Sequence, residues 1–186
     1  MEGMGAGERT EGMGAAACRP TAEGTLMRCL TLNECRQWRK DHCRRHEWKR
    51  QTTCETPLKR LPWYTTVLVG QLQTFEHALL VIDQVVFKVP PELEELRRLA
   101  GEQRPVHEAP GHAFENDSEG FRATLAAALS GWTDLRALFS PSNHALRADH
   151  DEYTTFFTWS TGKVAKVRRV LTNGGVKLVE YTAKSP

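Results

Sequence analysis

Between Glu102 and Glu115 the chain reads Glu-Gln-Arg-Pro-Val-His-Glu-Ala-Pro-Gly-His-Ala-Phe-Glu. Pro105 and Pro110 lack the N–H that helices and inner strands use, and Gly111 admits backbone geometries that other residues avoid. The stretch therefore predicts a shaped loop and excludes a regular helix or central strand over these residues. It falls between two helical segments and presents His107, Glu108 and His112, the position in a fold where recognition or chemistry is commonly carried.

The flanking segments read more simply. Pro90-Pro91 opens a helix over 91–100, with Glu92, Glu94 and Glu95 in its first turn, Arg97 and Arg98 in its last and Gly101 as its stop, an arrangement that matches the macrodipole. Asn116-Asp-Ser118 caps a second helix running to Ser130, with Phe121, Leu125 and Leu129 on one stripe. Upstream, Thr31-Leu-Asn-Glu34 has the spacing of a capping box for a helix to His42. A helix over 62–76 is predicted from Pro62 and the recurrence of Val67, Leu68, Leu72 and Phe75, and Ala78–Ile82 reads as a strand buried on both faces that ends at Asp83. Downstream, 133–139 and 176–181 alternate as half-buried strands do, 145–148 and 153–159 add two more, and Val164, Val167, Val170 and Leu171 mark a helix over 161–172. Five or six strands and four or five helices in this order predict an α+β fold, one domain over 27–186 with a mostly antiparallel or mixed sheet.

A length of 186 residues with 40% hydrophobic content suits one well-buried core. Residues 1–26 are rich in glycine and alanine and poor in large apolar side chains, so they are expected to be a disordered extension. No apolar run is long enough to span a membrane. Five cysteines, an odd number without a secretory signal, point to reduced thiols and a cytoplasmic setting.

The short segments Leu30-Thr-Leu-Asn-Glu-Cys-Arg-Gln-Trp38, Arg104-Pro followed by Glu108-Ala-Pro-Gly-His-Ala-Phe114, and His150-Asp-Glu-Tyr153 resemble a group of small, uncharacterised bacterial proteins. That resemblance implies a bacterial origin and carries no catalytic role.

Three constellations have chemical content. Asp83, Glu108, His112 and Asp151 are residue types that serve as acid, base or ligand, although the His-x4-His spacing suits a metal pair only on a helix, which the prolines forbid. Cys29, Cys35, Cys43 and Cys54 are six, eight and eleven positions apart, not the two to four typical of structural zinc, so no metal and no cofactor is read from them. Arg36, Arg39, Lys40, Arg44, Arg45, Lys49 and Arg50 lie in a segment, 28–60, that holds ten Lys/Arg against four Asp/Glu.

Net charge is only +2, yet charge is segregated along the chain, and opposed patches steer association without catalytic geometry. The favoured expectation is an interaction or accessory module that uses the basic segment to bind a protein partner. A hydrolase-like enzyme centred on Asp83, Glu108, His112 and Asp151 stands second. A nucleic-acid binder working through the basic segment stands third.

Overall fold

A computed structural model describes residues 27–43, 48–72, 75–142 and 144–183. Expectations for residues 1–26 and for Arg44 and Arg45 lie outside the described residues. In chain order the elements are β1 (Arg28–Leu30), α1 (Leu32–His42), β2 (Arg50–Glu55), α2 (Leu61–Gln71), β3 (His77–Val85), α3 (Pro91–Leu99), β4 (Gly111–Glu115), α4 (Ser118–Leu129), β5 (Thr133–Ser140), β6 (His144–Ala148), β7 (Tyr153–Thr158), α5 (Thr161–Asn173) and β8 (Leu178–Val179). The eight strands form one antiparallel sheet in the order β1-β4-β3-β5-β6-β7-β2-β8. The class is α+β, with more strands than the pattern of the sequence predicts. No helix among the described residues is long and apolar enough to cross a membrane.

Alternation along each strand sends successive side chains to opposite faces, and here each face builds its own core. Ala78, Leu80, Ile82, Phe114, Leu135, Ala137 and Phe139 pack under α2, α3, α4 and α5, whose inward residues include Tyr64, Leu68, Leu93, Phe121, Leu125 and Val167. Leu79, Val81, Ala113, Leu138, Ala145 and Phe157 form the other face, where Cys35 and Trp38 of α1 cover them. Gly111 permits that second contact, since a Cβ there would run into Cys35 Sγ and crowd Leu30.

The helix ends follow local chemistry. Glu34 N donates to Thr31 Oγ1 at 3.3 Å and Thr31 N to Glu34 Oε2 at 2.7 Å, which completes the capping box. Asp117 accepts from Gly120 N at 2.7 Å to start α4, and Ser160 from Lys163 N at 3.2 Å to start α5.

Two strands lie where the sequence pattern does not place one. The loop predicted over 102–115 ends at Pro110, and Gly111–Glu115 is a strand paired on both sides, with β1 and with β3. Both prolines precede it, so every residue from Gly111 onward keeps its N–H for the ladder. The second is β2, in a polar stretch for which the sequence pattern predicts no element, and it lies between β7 and β8. Two buried hydroxyls find partners on β7: Thr53 Oγ1 lies 2.9 Å from Thr155 Oγ1, and just beyond the strand Thr56 Oγ1 lies 2.8 Å from Thr154 Oγ1.

Candidate functional site

His112 and Asp83 are carried by neighbouring strands and end on opposite sides of the sheet. His112 pairs with Leu80 and shares its face, so it is buried beneath the helical layer. Asp83 continues the row of Leu79 and Val81 onto the α1 side, where its Oδ1 meets Arg136 Nη2 at 3.0 Å, and the register shifts by one residue at this point, between Ile82 and Gln84. Glu108 is exposed in the loop, 3.8 Å from the imidazole of His107, and Asp151 is exposed, 3.9 Å from that of His150. The structure thus brings none of Asp83, Glu108, His112 and Asp151 together around one pocket.

What holds His112 is Arg97, a residue in the last turn of α3 that is 4% exposed. Arg97 Nη1 donates to Ala109 O at 2.7 Å and to His112 Nε2 at 3.0 Å, and Nη2 donates to Arg104 O at 2.7 Å. A guanidinium has no acceptor, so Nε2 must accept and the imidazole proton sits on Nδ1. That nitrogen is buried and reaches no partner at hydrogen-bonding geometry. Burial first, then the Arg97 charge, push the His112 pKa down to about 4, while the nearby carbonyls of Leu80 and Pro110 act more weakly in the other direction. The histidine is therefore a neutral acceptor inside a cationic clamp. It is not placed to carry protons at neutral pH.

Arg97 also organises the loop. Glu102 Oε1 accepts from Arg104 N at 2.8 Å and from Arg104 Nε at 2.9 Å, and its Oε2 lies 2.6 Å from Arg104 Nη2. These bonds from Arg104 hold the Glu102 carboxyl down at about 2. Between this loop, α3 and the end of β3 opens a cleft of about 690 Å³ that Arg97, Glu102, Arg104 and Val106 help to line.

Sequence reasoning passed over Arg97 because a cation in a final helical turn already has an explanation in the macrodipole. The available signal was its position four residues after Leu93, on the inward row of the helix. Arg98, next to it, points outward and pairs with Glu95 at 2.6 Å.

The protonation of His112 sets an expected pH dependence. Its pKa is near 4 when folded against an ordinary 6.5, so between these values the unfolded chain binds the additional proton. Stability contributed by neutral His112 is complete above pH ~6.5 and is lost as pH falls toward 4, about 3 kcal/mol in all. Urea unfolding at about pH 7 and pH 4.5 should show this loss in the parent and a smaller one in His112→Gln, which cannot protonate there. Equal losses in the two proteins would contradict the assignment.

A second polar region lies on the α1 side of the sheet. Arg136 and Arg147 sit directly opposite one another on β5 and β6, an unfavourable like-charge pair that Asp83 moderates. Burial raises the Asp83 carboxyl, and Arg136 and Arg147 oppose that rise. Nearby, Asp134 accepts from His150 N at 2.8 Å and from its Nδ1 at 2.9 Å, and this bond raises the His150 pKa.

In the basic segment, Arg36, Arg39 and Lys40 lie on the exposed face of α1, and Arg50 is exposed in β2. Lys49 Nζ stands 5.4 Å from the ring centroid of Trp159. Trp38 is 5% exposed and belongs to the core beneath α1, not to a stacking surface. Cys29, Cys35 and Cys54 are buried and Cys43 partly so, all as free thiols that burial pushes up in pKa. Among the described residues no group of three or more His, Cys, Asp or Glu is arranged to hold a metal ion.

No family model, curated protein or solved structure matches this chain.

Proposed function

We propose that the protein is a protein-interaction module that takes an amphipathic helix of its partner into the groove between α2, α3 and α4. One observation carries this reading. Ala123, Ala126 and Ala127 of α4 and its C-cap Ser130 occupy positions i, i+3, i+4 and i+7, and line an open groove of about 710 Å³ together with Leu61 and Leu96. Small side chains on a helix face let another helix approach closely, and a groove of this kind reads i/i+3/i+4/i+7 apolar anchors. The charged residues that line it, Glu92 and Glu95, are both acidic; Glu95 is held by Arg98, and Glu92 suits a helix with Lys or Arg beside its apolar stripe. Arg36, Arg39 and Lys40 stand on the opposite side of the sheet and would act on the encounter through charge alone.

The catalytic reading has less support, because its four residues occupy separate places and acid–base chemistry needs one shared pocket.

A fluorescein-labelled synthetic helix with leucines at i, i+4 and i+7 and lysines on its flanks should bind saturably in an anisotropy titration. Ala126→Arg fills the groove with a long cation and should weaken binding by at least about tenfold, or ~1.4 kcal/mol. A peptide that binds Ala126→Arg as well as the parent, or binds neither, would remove the groove as the docking site.

A further inference from the structure

We propose that the cleft beside the 102–107 loop is a binding site for a small amphiphilic anion, a molecule with one carboxylate or phosphate group on an apolar body. The first argument is the state of Arg97. It is buried to 4% exposure and borders the cleft, yet its partners are two backbone carbonyls and a neutral imidazole. The ion pairs of the described residues do not include it. A cation taken out of water is costly unless an anion compensates it, and Glu102 acts on Arg97 through its field alone while its oxygens are bound by Arg104. Three of its five N–H donors are used by these bonds, which leaves two for a ligand.

The second argument is the charge around the cleft. Of its acidic lining residues, Asp83 is engaged by Arg136 at 3.0 Å and Glu102 by Arg104 at 2.6 Å. Glu94 remains, exposed on α3, against Arg97 and the exposed Lys88. An anion entering between Lys88 and Arg97 meets a net positive field.

The third argument is the apolar wall. Ile82, Val85, Val89 and Val106 line the cleft, and Phe87 at its edge is 76% exposed with its ring edge-on to Trp132, centroids 6.3 Å apart. An exposed aromatic beside a cleft of about 690 Å³ suits the hydrocarbon of a small ligand, since sites of ~300–1,000 Å³ combine apolar walls with a few fixed polar groups. A fully hydrated ion such as free phosphate would leave these side chains without a role.

The test titrates octanoate, phenyl phosphate and octylammonium into the full chain, with the methyl resonances of Val85, Val89 and Val106 followed by NMR. Octanoate or phenyl phosphate should shift these methyls saturably, and octylammonium, with the opposite charge, should not. Lys88→Glu should weaken anion binding by at least about tenfold, and Lys88→Ala, a milder change at an exposed position, should weaken it in the same direction. The proposal is overturned if neither anion gives a saturable shift, if octylammonium binds as well as octanoate, or if both Lys88 variants bind like the parent. A partner helix in the α2–α3–α4 groove leaves these outcomes unchanged, because Ala126→Arg should bind octanoate with parental affinity.

Discussion

Replacing Arg97 with alanine should destabilise the fold by about 3 kcal/mol, the loss expected when buried acceptors are left without their charged donor. Three acceptors lose their donor at once: Ala109 O, Arg104 O and His112 Nε2. Water entering from the adjacent cleft can recover part of this for Arg104 O, which is only partly buried, and little for the other two. For a chain of this length the change corresponds to a fall in melting temperature of roughly 6–12 °C. The loss should also be local. Glu108 N and Ala109 N donate to Pro105 O at 3.0 and 3.2 Å, and their amide exchange should accelerate beyond that of the β3–β5 ladder. A second signature follows from electrostatics: with the cation gone, the His112 pKa should rise from about 4 toward its ordinary value. A melting temperature within about 2 °C of the parent, together with an unmoved His112 titration, would show that Arg97 does not hold this loop.

Phe121→Ala should be costlier, about 4 kcal/mol, within the range measured when a buried aromatic is truncated. Phe121 is fully buried in α4, and its ring centroid lies 5.6 Å from that of Phe75, 5.5 Å from Phe114 and 5.1 Å from Phe139, all near edge-to-face. The four rings join the helical layer to β4 and β5 and to the start of β3. Removing the central ring therefore forfeits the favourable aromatic geometry as well as its buried area. Phe121→Leu keeps most of the volume and should cost roughly 1.5 kcal/mol or less. In urea the alanine variant should show a lower midpoint with an unchanged slope, as expected when stability alone is altered. A loss below about 1 kcal/mol would mean the cluster collapses around the vacancy, and that packing here is softer than the geometry implies.

How much of this was legible beforehand depends on the range of the forces involved. The start of α1 at Thr31, the extent of α3, the Asp117 cap of α4 and the alternation of β5 follow from residues within one or two turns of each other, and the sequence displays them directly. β2 and β4 are different. Thr53 and Cys54 have no local partner for their polar groups until Thr154 and Thr155 arrive from a strand about a hundred residues away, where Thr53 Oγ1 meets Thr155 Oγ1 and Cys54 Sγ donates to Thr154 O. For β4, the prolines at 105 and 110 mask the strand in the sequence, because the partners of its ladder lie on β3 and β1, at least about thirty and eighty residues away.

The placement of the chemically interesting side chains was the least legible part. Arg97 and Arg98 are adjacent and identical, and in local terms both simply complement a helix dipole. Packing alone sends one inward to hold His112 and the loop and leaves the other on the surface with Glu95. Asp83 and His112 belong to residue types that act together in many catalytic centres. Strand register and the alternation of side chains direct them to opposite faces of the same sheet. Local propensity, capping and charge are properties of a chain segment and can be read along it. Which face a residue occupies, and which distant group meets it there, is settled only when strands far apart in sequence pair and a shift of one residue reverses the answer.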